Sequence, residues 1–328
     1  MDILFFDGKP YDKVYFNKFI SDFPDIKINF IEPDLSEQTY SLANGYEAIC
    51  VFVNSDLCEN ILTKLSEIGT KLILMRCAGY NHLDVEAAKR LNIKVMSVPG
   101  YSPQAIAEHA MALALASCRK IHKAYVKVRE NDFSLQSLMG VNLYKKTAGI
   151  IGTGKIGSAM AKICNGFGMK VLTYDVRQNP DLDFAHYVSL NELLNNSDLI
   201  SLHCPLTSDT YHLINKHTIN QMKDGVIFIN TSRGGLVNTI DLINGIRSKK
   251  FFSVGLDVYE EEKNLVFQNK SDDILEHSVT ARLLSFPNVI ITSHQGFFTS
   301  EAIESIAKST LENASSYLNN IPNQNYIT

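Results

Sequence analysis

The chain is 328 residues long, 45 % hydrophobic and 20 % charged, with 31 basic against 35 acidic side chains and a formal net charge of −4. A length beyond the usual single core predicts two domains, and balanced charge without a basic block argues against nucleic acid or an anionic membrane as partner. No stretch of 18 or more residues is uniformly apolar, so no membrane-spanning helix is expected. Met1 to Asp7 reads as a short strand ending in an acid, without the basic and long apolar regions of a signal peptide. Six cysteines, at 50, 58, 77, 118, 164 and 204, never fall in a C-x-x-C spacing. They read as free thiols, which fits a reducing cytoplasm better than disulfides or zinc.

Residues 1 to about 100 alternate short apolar runs (Ile3–Phe6, Ile26–Phe30, Ala48–Val53, Leu72–Cys77, Lys94–Val98) with helical patterns such as Cys58–Glu67 and Val85–Leu91. That alternation predicts a parallel sheet covered on both faces. Ser102 then reads as a helix N-cap and Pro103 as its first turn. The helix runs to about Arg119, with a further helical pattern to Arg129. Its Ala-rich face suits close packing, against another subunit or between domains. A second strand–helix series follows, with strands at Thr147–Ile151, Lys170–Tyr174, Ala185–Val188, Leu199–Leu202, Val226–Asn230, Ser253–Asp257 and Val289–Thr292. Ser300 to Thr328 forms one helix and a polar end, too short for a domain.

Between the first two strands of the second series lies Gly152-Thr153-Gly154-Lys155-Ile156-Gly157, opening a helical pattern to Phe167. The next strand ends at Asp175, 18 residues past Gly157. Strand, G-x-G-x-x-G, helix, strand and terminal acid in this register form the fingerprint of a dinucleotide-binding unit. Gly152 makes the tight turn, Gly154 lets backbone approach a pyrophosphate, and Gly157 lets the helix pack closely. The helix N-terminus offers free N–H groups to phosphate. Asp175 would accept from both adenosine ribose hydroxyls and repel a 2′-phosphate, which selects NAD over NADP. Arg177 is the one nearby residue that argues otherwise.

In open parallel sheets ligands lie beyond the carboxyl ends of the strands. Three strands carry capable residues there: Thr231-Ser232-Arg233-Gly234-Gly235, then Glu260-Glu261-Glu262, then His294. Arg233 would grip a carboxylate through two parallel N–H···O bonds, a geometry lysine cannot supply. His294 would donate a proton to the C2 oxygen of a 2-keto acid, its ring suited by an ordinary pKa of about 6.5. Glu262, on the other ring nitrogen, would favour the imidazolium and fix the ring. His203, at a strand end, would support the nucleotide loop. His82, His109, His122, His186, His212, His217 and His277 show no metal-ligand spacing, and no metal is expected.

The chain resembles the D-specific 2-hydroxyacid dehydrogenases. The resemblance is carried by Arg76-Cys77-Ala78-Gly79-Tyr80-Asn81, Val98-Pro99-Gly100-Tyr101-Ser102-Pro103 through Glu108-His109, and Gly152–Gly157. It continues in Ser201-Leu202-His203-Cys204-Pro205-Leu206-Thr207, Ile229–Gly235, Gly255-Leu256-Asp257-Val258-Tyr259-Glu260 and Ser293-His294-Gln295-Gly296-Phe297. These motifs span nearly the whole chain in order. The resemblance implies a Rossmann NAD-binding domain, 101–296, inserted into a flavodoxin-like substrate domain, 1–100 plus 297–328, which the C-terminal helix completes.

It also implies that the amides of Ala78 and Gly79, with the Tyr101 hydroxyl, hold the substrate carboxylate. Cys204, Pro205, Thr210, Thr231, Ser232, Arg233 and Asp257 would join Gly152, Thr153, Gly154, Lys155, Ile156, Gly157 and Asp175 around the cofactor. Glu262, chosen over Glu260 and Glu261, would pair with His294. Phe297 would wall a small side-chain pocket, and Phe52, where some members have tyrosine, would make that wall apolar. The expected reaction joins NADH and pyruvate to D-lactate in a homo-oligomer, dimer or tetramer. The alternatives are reduction of 2-ketoisocaproate, hydroxypyruvate or glyoxylate, or a nucleotide-sensing corepressor on the same fold.

Overall fold

The computed structural model describes residues 1–262, 265–275 and 278–328, so His277 lies outside the described residues. The chain divides into two compact units, Met1–Ser102 with Phe298–Thr328, and Pro103–Phe297. The first unit opens with β1 (Asp2–Phe5), α1 (Pro10–Phe19), β2 (Lys27–Phe30), β3 (Ala48–Val51), α2 (Glu59–Glu67), β4 (Leu72–Met75), α3 (Val85–Arg90) and β5 (Lys94–Met96). Its strands are all parallel, in the order β2-β1-β3-β4-β5. That is the flavodoxin-like order. β3 and β4 are buried at every position, as strands covered on both faces must be.

The second unit comprises α4 (Pro103–Cys118), α5 (Ile121–Arg129), β6 (Thr147–Ile151), α6 (Lys155–Gly166), β7 (Lys170–Tyr174), β8 (His186–Tyr187), α7 (Leu190–Asn196), β9 (Leu199–Leu202), α8 (Lys216–Gln221), β10 (Val226–Asn230), α9 (Thr239–Arg247), β11 (Phe251–Leu256), α10 (Ser278–Leu284) and β12 (Val289–Ile291). Among the described residues its sheet is seven-stranded and parallel, in the order β12-β11-β10-β9-β6-β7-β8. Strand order reverses between β6 and β9, and a ligand crevice belongs at the carboxyl ends of those two strands. Helices cover both faces. Ala107, Ala110, Met160 and Ala161 pack on one, and Leu193, Ile219, Leu242 and Ile246 on the other.

The Ala-rich face of α4 is used inside this unit. Ala107, Ala110 and Ala114 are fully buried in a core shared with α6, β6 and β10, so that face is closed to another subunit. The exposed apolar side chains lie further along. α5 buries none of its residues, and Tyr125, Phe133, Leu135, Met139 and Tyr144 all stand open to solvent, Met139 at 86 %.

The C-terminal helix α11 (Ser300–Leu318) belongs to the first unit. The Thr299 hydroxyl caps it by accepting from the Ala302 amide. Its apolar stripe, Ala307, Leu311 and Ala314, enters the core formed by Ile3, Phe5 and Phe16. Beyond it, the Ile327 amide donates to the Val95 carbonyl at 2.8 Å, and Tyr326 bridges Met96 in antiparallel fashion. The polar end thus closes the β5 edge.

A charged residue sits at the centre of the first unit. Arg76, 1 % exposed, follows β4 and lies between the rings of Phe5 and Phe52, 4.5 and 4.6 Å from their centroids. Its guanidinium donates to the Phe6 and Asp7 carbonyls at 3.2 and 2.8 Å. It pairs with Asp12 at 3.5 Å and Asp7 at 3.8 Å. Removing one member of a buried ionic set strands the others without water or counter-charge. Arg76→Leu should therefore lower the stability of this unit by about 3–5 kcal/mol, read as a lower midpoint in urea unfolding. An unchanged midpoint would show that the aspartates do not need the cation.

Candidate active site

β6 ends in Gly152, whose φ of 93° places it in the left-handed region. A Cβ there would lie 2.6 Å from the Cys204 nitrogen, and one on Gly157 would lie 1.8 Å from the Gly152 carbonyl oxygen. Both positions are closed to any side chain. Gly154 is the opposite case: a Cβ there would meet nothing within 4 Å. It forms the N-cap of α6 without a side-chain cap, leaving first-turn N–H groups for an anion. Lys155 is exposed beside it and Ile156 is half-buried. This open cradle of backbone fits a dinucleotide pyrophosphate.

The loop is buttressed from β9. The His203 amide donates to the Ile151 carbonyl at 2.7 Å, and its Nε2 lies 2.8 Å from the Ser201 hydroxyl. Burial pushes that imidazole down to about 3, so His203 supports the loop as a neutral group. Asp175, just past β7, accepts from the Thr153 amide and hydroxyl on one oxygen and from the Arg177 amide on the other. Burial works against its charge, but the Thr153 and Arg177 amides outweigh it and hold the carboxyl below its usual range.

The loops after β9 and β10 are tied together, the Ser232 hydroxyl donating to the Cys204 carbonyl at 2.7 Å. Burial pushes the Cys204 thiol up to about 11, so it is neutral. Thr210 donates to the Pro205 carbonyl at 2.7 Å, bracing that exposed loop. The buried Thr231 hydroxyl has no hydrogen-bond partner among the described residues. Arg233 is half-buried, its Nη1 donating to the Ser232 carbonyl at 2.7 Å, and its own carbonyl accepts from Asn230 Nδ2 at 2.9 Å. A Cβ on Gly234 would lie 2.3 Å from the Tyr259 carbonyl carbon. The arginine turn is therefore pressed against the strand end that leads to the glutamates.

Of the three glutamates, Glu262 faces His294, its Oε1 3.4 Å from Nδ1. That is an ion-pair distance, longer than a tight charge-assisted bond. Nε2 is left as the nitrogen able to exchange a proton with a ligand. Glu260 is used elsewhere: one oxygen lies 2.7 Å from His212 Nε2, and the other accepts from the Thr239 amide and hydroxyl. Beside His294 lies Phe267, with ring centroids 6.3 Å apart, and Phe267 meets Phe297 edge-on at 6.2 Å.

His294 has a φ of 51°, costly for a residue with a Cβ. Asp257 holds it there. The Asp257 carbonyl accepts from the His294 amide at 2.9 Å, and its carboxylate accepts from the amides of Gln295 and Gly296 at 2.9 and 2.8 Å. Thr292 donates to the same carboxylate, and His109 of α4 lies 3.2 Å from it. Burial raises this carboxyl, but His109, Thr292 and the Gly296 amide prevail and hold it at about 2. Asp257 is 2 % exposed, and its carboxylate serves the histidine turn rather than an open surface.

Arg233, Glu262, His294, Phe297 and the glycine loop thus all belong to the second unit, at carboxyl ends of its strands. Phe52, Ala78, Gly79 and Tyr101 belong to the first. There Ala78 and Gly79 are half-buried just past β4, with the Cys77 thiol donating to the Gly79 carbonyl at 3.3 Å. Two residues of the second-unit site are given no role by the sequence alone. His109 and Phe267 lie far in sequence from what they touch, and only the Glu108-His109 motif pointed at the former. Among the described residues no group of three or more His, Cys, Asp or Glu side chains could hold a metal ion.

The family model for the D-isomer specific 2-hydroxyacid dehydrogenase, NAD binding domain, matches residues 111–296. The D-lactate dehydrogenase of Escherichia coli (strain K12) is 44 % identical, over 96 % of this chain and 96 % of its own. Among solved structures, the pyruvate reductase of Chlamydomonas reinhardtii superposes with a TM-score of 0.93 at 37 % identity, covering 99 % of this chain and 98 % of that one. The D-lactate dehydrogenase of Aquifex aeolicus complexed with NAD and lactic acid gives 0.87 at 35 % identity, covering 97 % and 96 %. With the glycine cradle and the histidine turn in place, this chain belongs to the D-isomer specific 2-hydroxyacid dehydrogenase family and is an NAD-dependent enzyme of it.

Proposed function

We propose that the protein is a D-lactate dehydrogenase, interconverting pyruvate and D-lactate with NAD. The observation that carries this reading is the His294–Glu262 pair, seated on a backbone turn that the buried Asp257 fixes. NADH, when bound, supplies the hydride for the C2 carbon. His294 Nε2 gives its proton to the C2 oxygen, and Glu262 at Nδ1 stabilises the imidazolium before the transfer and orients the ring. In the reverse direction the neutral ring takes that proton back. Arg233 binds the substrate carboxylate, its planar fork matching the two oxygens. We assign Ala78, Gly79 and Tyr101 to the same carboxylate, and Phe52 and Phe297 to the side chain.

The cofactor set comprises Gly152, Thr153, Gly154, Lys155, Ile156, Gly157, Asp175, Cys204, Pro205, Thr210, Thr231 and Ser232. Arg233 and Asp257 complete this set, and Asp257 also fixes the histidine turn. The second unit is the dinucleotide domain and the first the substrate domain. The aromatic pair Phe267–Phe297 beside His294 favours a methyl group over a branched side chain. In an NADH-oxidation assay across 2-keto acids, pyruvate should therefore exceed 2-ketoisocaproate, hydroxypyruvate and glyoxylate in kcat/KM. The margin over 2-ketoisocaproate should be at least about 10-fold, since one methylene is worth about 1–3 kcal/mol in a fitted pocket. A preference for the branched acid would reassign the substrate. No turnover of any acid would favour a nucleotide-sensing binding protein instead.

No helix among the described residues is long and apolar enough to cross a membrane. Six free cysteines, five of them buried, support a cytoplasmic location. We further propose that the enzyme is a homo-oligomer, through α5 and the segment after it. Exposed apolar side chains this close in sequence, Phe133, Leu135 and Met139, are what a subunit interface covers. The double variant Leu135→Asp/Met139→Asp should shift the sedimentation coefficient towards that of a monomer. A wild-type protein that sediments as a monomer at micromolar concentration would contradict the proposal.

A further inference from the structure

The carboxylate of Asp175 is the end of a hydrogen-bond relay that begins on the sheet edge. The Asn179 amide donates to the Tyr187 oxygen at 2.7 Å. With that lone pair taken, the Tyr187 hydroxyl donates to Thr153 Oγ1 at 2.9 Å. The Thr153 hydroxyl then donates to Asp175 Oδ2 at 3.0 Å. The direction of every bond is forced, because an amide can only donate and a carboxylate can only accept. Asn179 fastens the start of the relay a second time, its Nδ2 donating to the Ser158 hydroxyl at 2.9 Å, which itself donates to the Thr153 carbonyl at 2.8 Å.

The relay helps to fix one oxygen of the carboxylate. Asp175 Oδ2 takes the Thr153 amide and hydroxyl and Oδ1 takes the Arg177 amide, and the Val176 amide also donates to the carboxyl. Thr153 has a second acceptor within reach, the Arg177 carbonyl at 3.5 Å. The acid is the closer and charged acceptor, and the Tyr187 proton on the threonine oxygen polarises that hydroxyl and strengthens its bond to the acid. Tyr187 lies in β8, outside the glycine fingerprint and 12 residues past Asp175.

We propose that Tyr187 is a positioning residue for cofactor selection: through Thr153 it fixes the Asp175 carboxylate in the orientation that accepts an unmodified adenosine ribose and repels a 2′-phosphate. This rests on Asp175 being the ribose ligand. Tyr187→Phe keeps the ring and deletes only the hydroxyl. Thr153 then loses its donor, its bond to Asp175 weakens in competition with the Arg177 carbonyl, and the Asn179 amide loses its acceptor.

The test is a fluorescence titration of the cofactor-free protein with NADH and with NADPH, for wild type, Tyr187→Phe and Asp175→Ala. Wild type should prefer NADH, and Asp175→Ala should lose most of that preference. Tyr187→Phe should bind NADH about 2- to 10-fold more weakly, the value of one hydrogen bond. Its affinity for NADPH should stay within about 2-fold, so that the ratio of the two constants narrows. The KM for pyruvate at saturating NADH should not move. Equal weakening towards both nucleotides would mean general damage and would overturn the proposal. So would an unchanged ratio in Tyr187→Phe beside a collapsed one in Asp175→Ala, an outcome that leaves Asp175 as the ribose ligand. A wild type that binds NADPH as tightly as NADH would remove the role of Asp175 and that of Tyr187 together.

Discussion

A single buried carboxylate organises the chemistry of the second unit. Asp257 stands at the end of β11 and gathers donors from three directions: the Thr292 hydroxyl after β12, His109 from α4, and the amides of Gln295 and Gly296. An isolated buried carboxylate would be prohibitively unstable. With these donors it remains charged at any working pH, and the turn they belong to has one conformation. His294 inherits that conformation, including a left-handed backbone that would otherwise relax. The imidazole is thereby presented to Glu262 by the fold itself.

The cofactor side relies on close backbone approach where Asp257 relies on charge. Gly152, Gly157 and Gly234 each occupy a place where a Cβ would overlap backbone: Gly152 just past β6, Gly157 in the first turn of α6, and Gly234 just past β10. The first two shape the cradle under the pyrophosphate, and the third seats the Arg233 turn against the Tyr259–Glu260 backbone. Neutral His203 and Cys204 fill the space behind the cradle without adding charge. The positive end of α6 therefore meets no opposing charge from these two residues.

Much of this was legible because it is local. Parallel strands buried on both faces write themselves as apolar runs, so Thr147–Ile151, Lys170–Tyr174, Leu199–Leu202 and Val226–Asn230 coincide with β6, β7, β9 and β10. The glycine fingerprint and the acid after β7 lie within one strand–helix–strand unit. What could not be read is what folding brings together across long separations. α1 carries only Asp12 and Phe16 as buried residues, too few for an apolar period. Its purpose is visible only when Asp12 meets Arg76. The alanines of α4 suit any close packing, and which surface they meet depends on α6 and the sheet. Nothing in the sequence distinguishes a solvent-facing histidine from His109, which lies 148 residues from the aspartate it holds. Of the three adjacent glutamates the resemblance singled out Glu262, and the side of the chain it emerges from is what turns it to His294.

Catalysis requires that His294 and Glu262 act as one proton-transferring unit. The most direct test is the pH dependence of kcat/KM for pyruvate reduction in wild type, Glu262→Gln and His294→Ala. Wild-type activity should fall as rising pH removes the imidazolium proton. Glu262→Gln should remain partly active with that fall moved to lower pH, because the charge favouring imidazolium is gone. His294→Ala should lose about 10²- to 10⁴-fold at every pH, the usual value of general acid catalysis. Near-wild-type activity in His294→Ala, or a profile that moves with Glu260→Gln and not with Glu262→Gln, would contradict it.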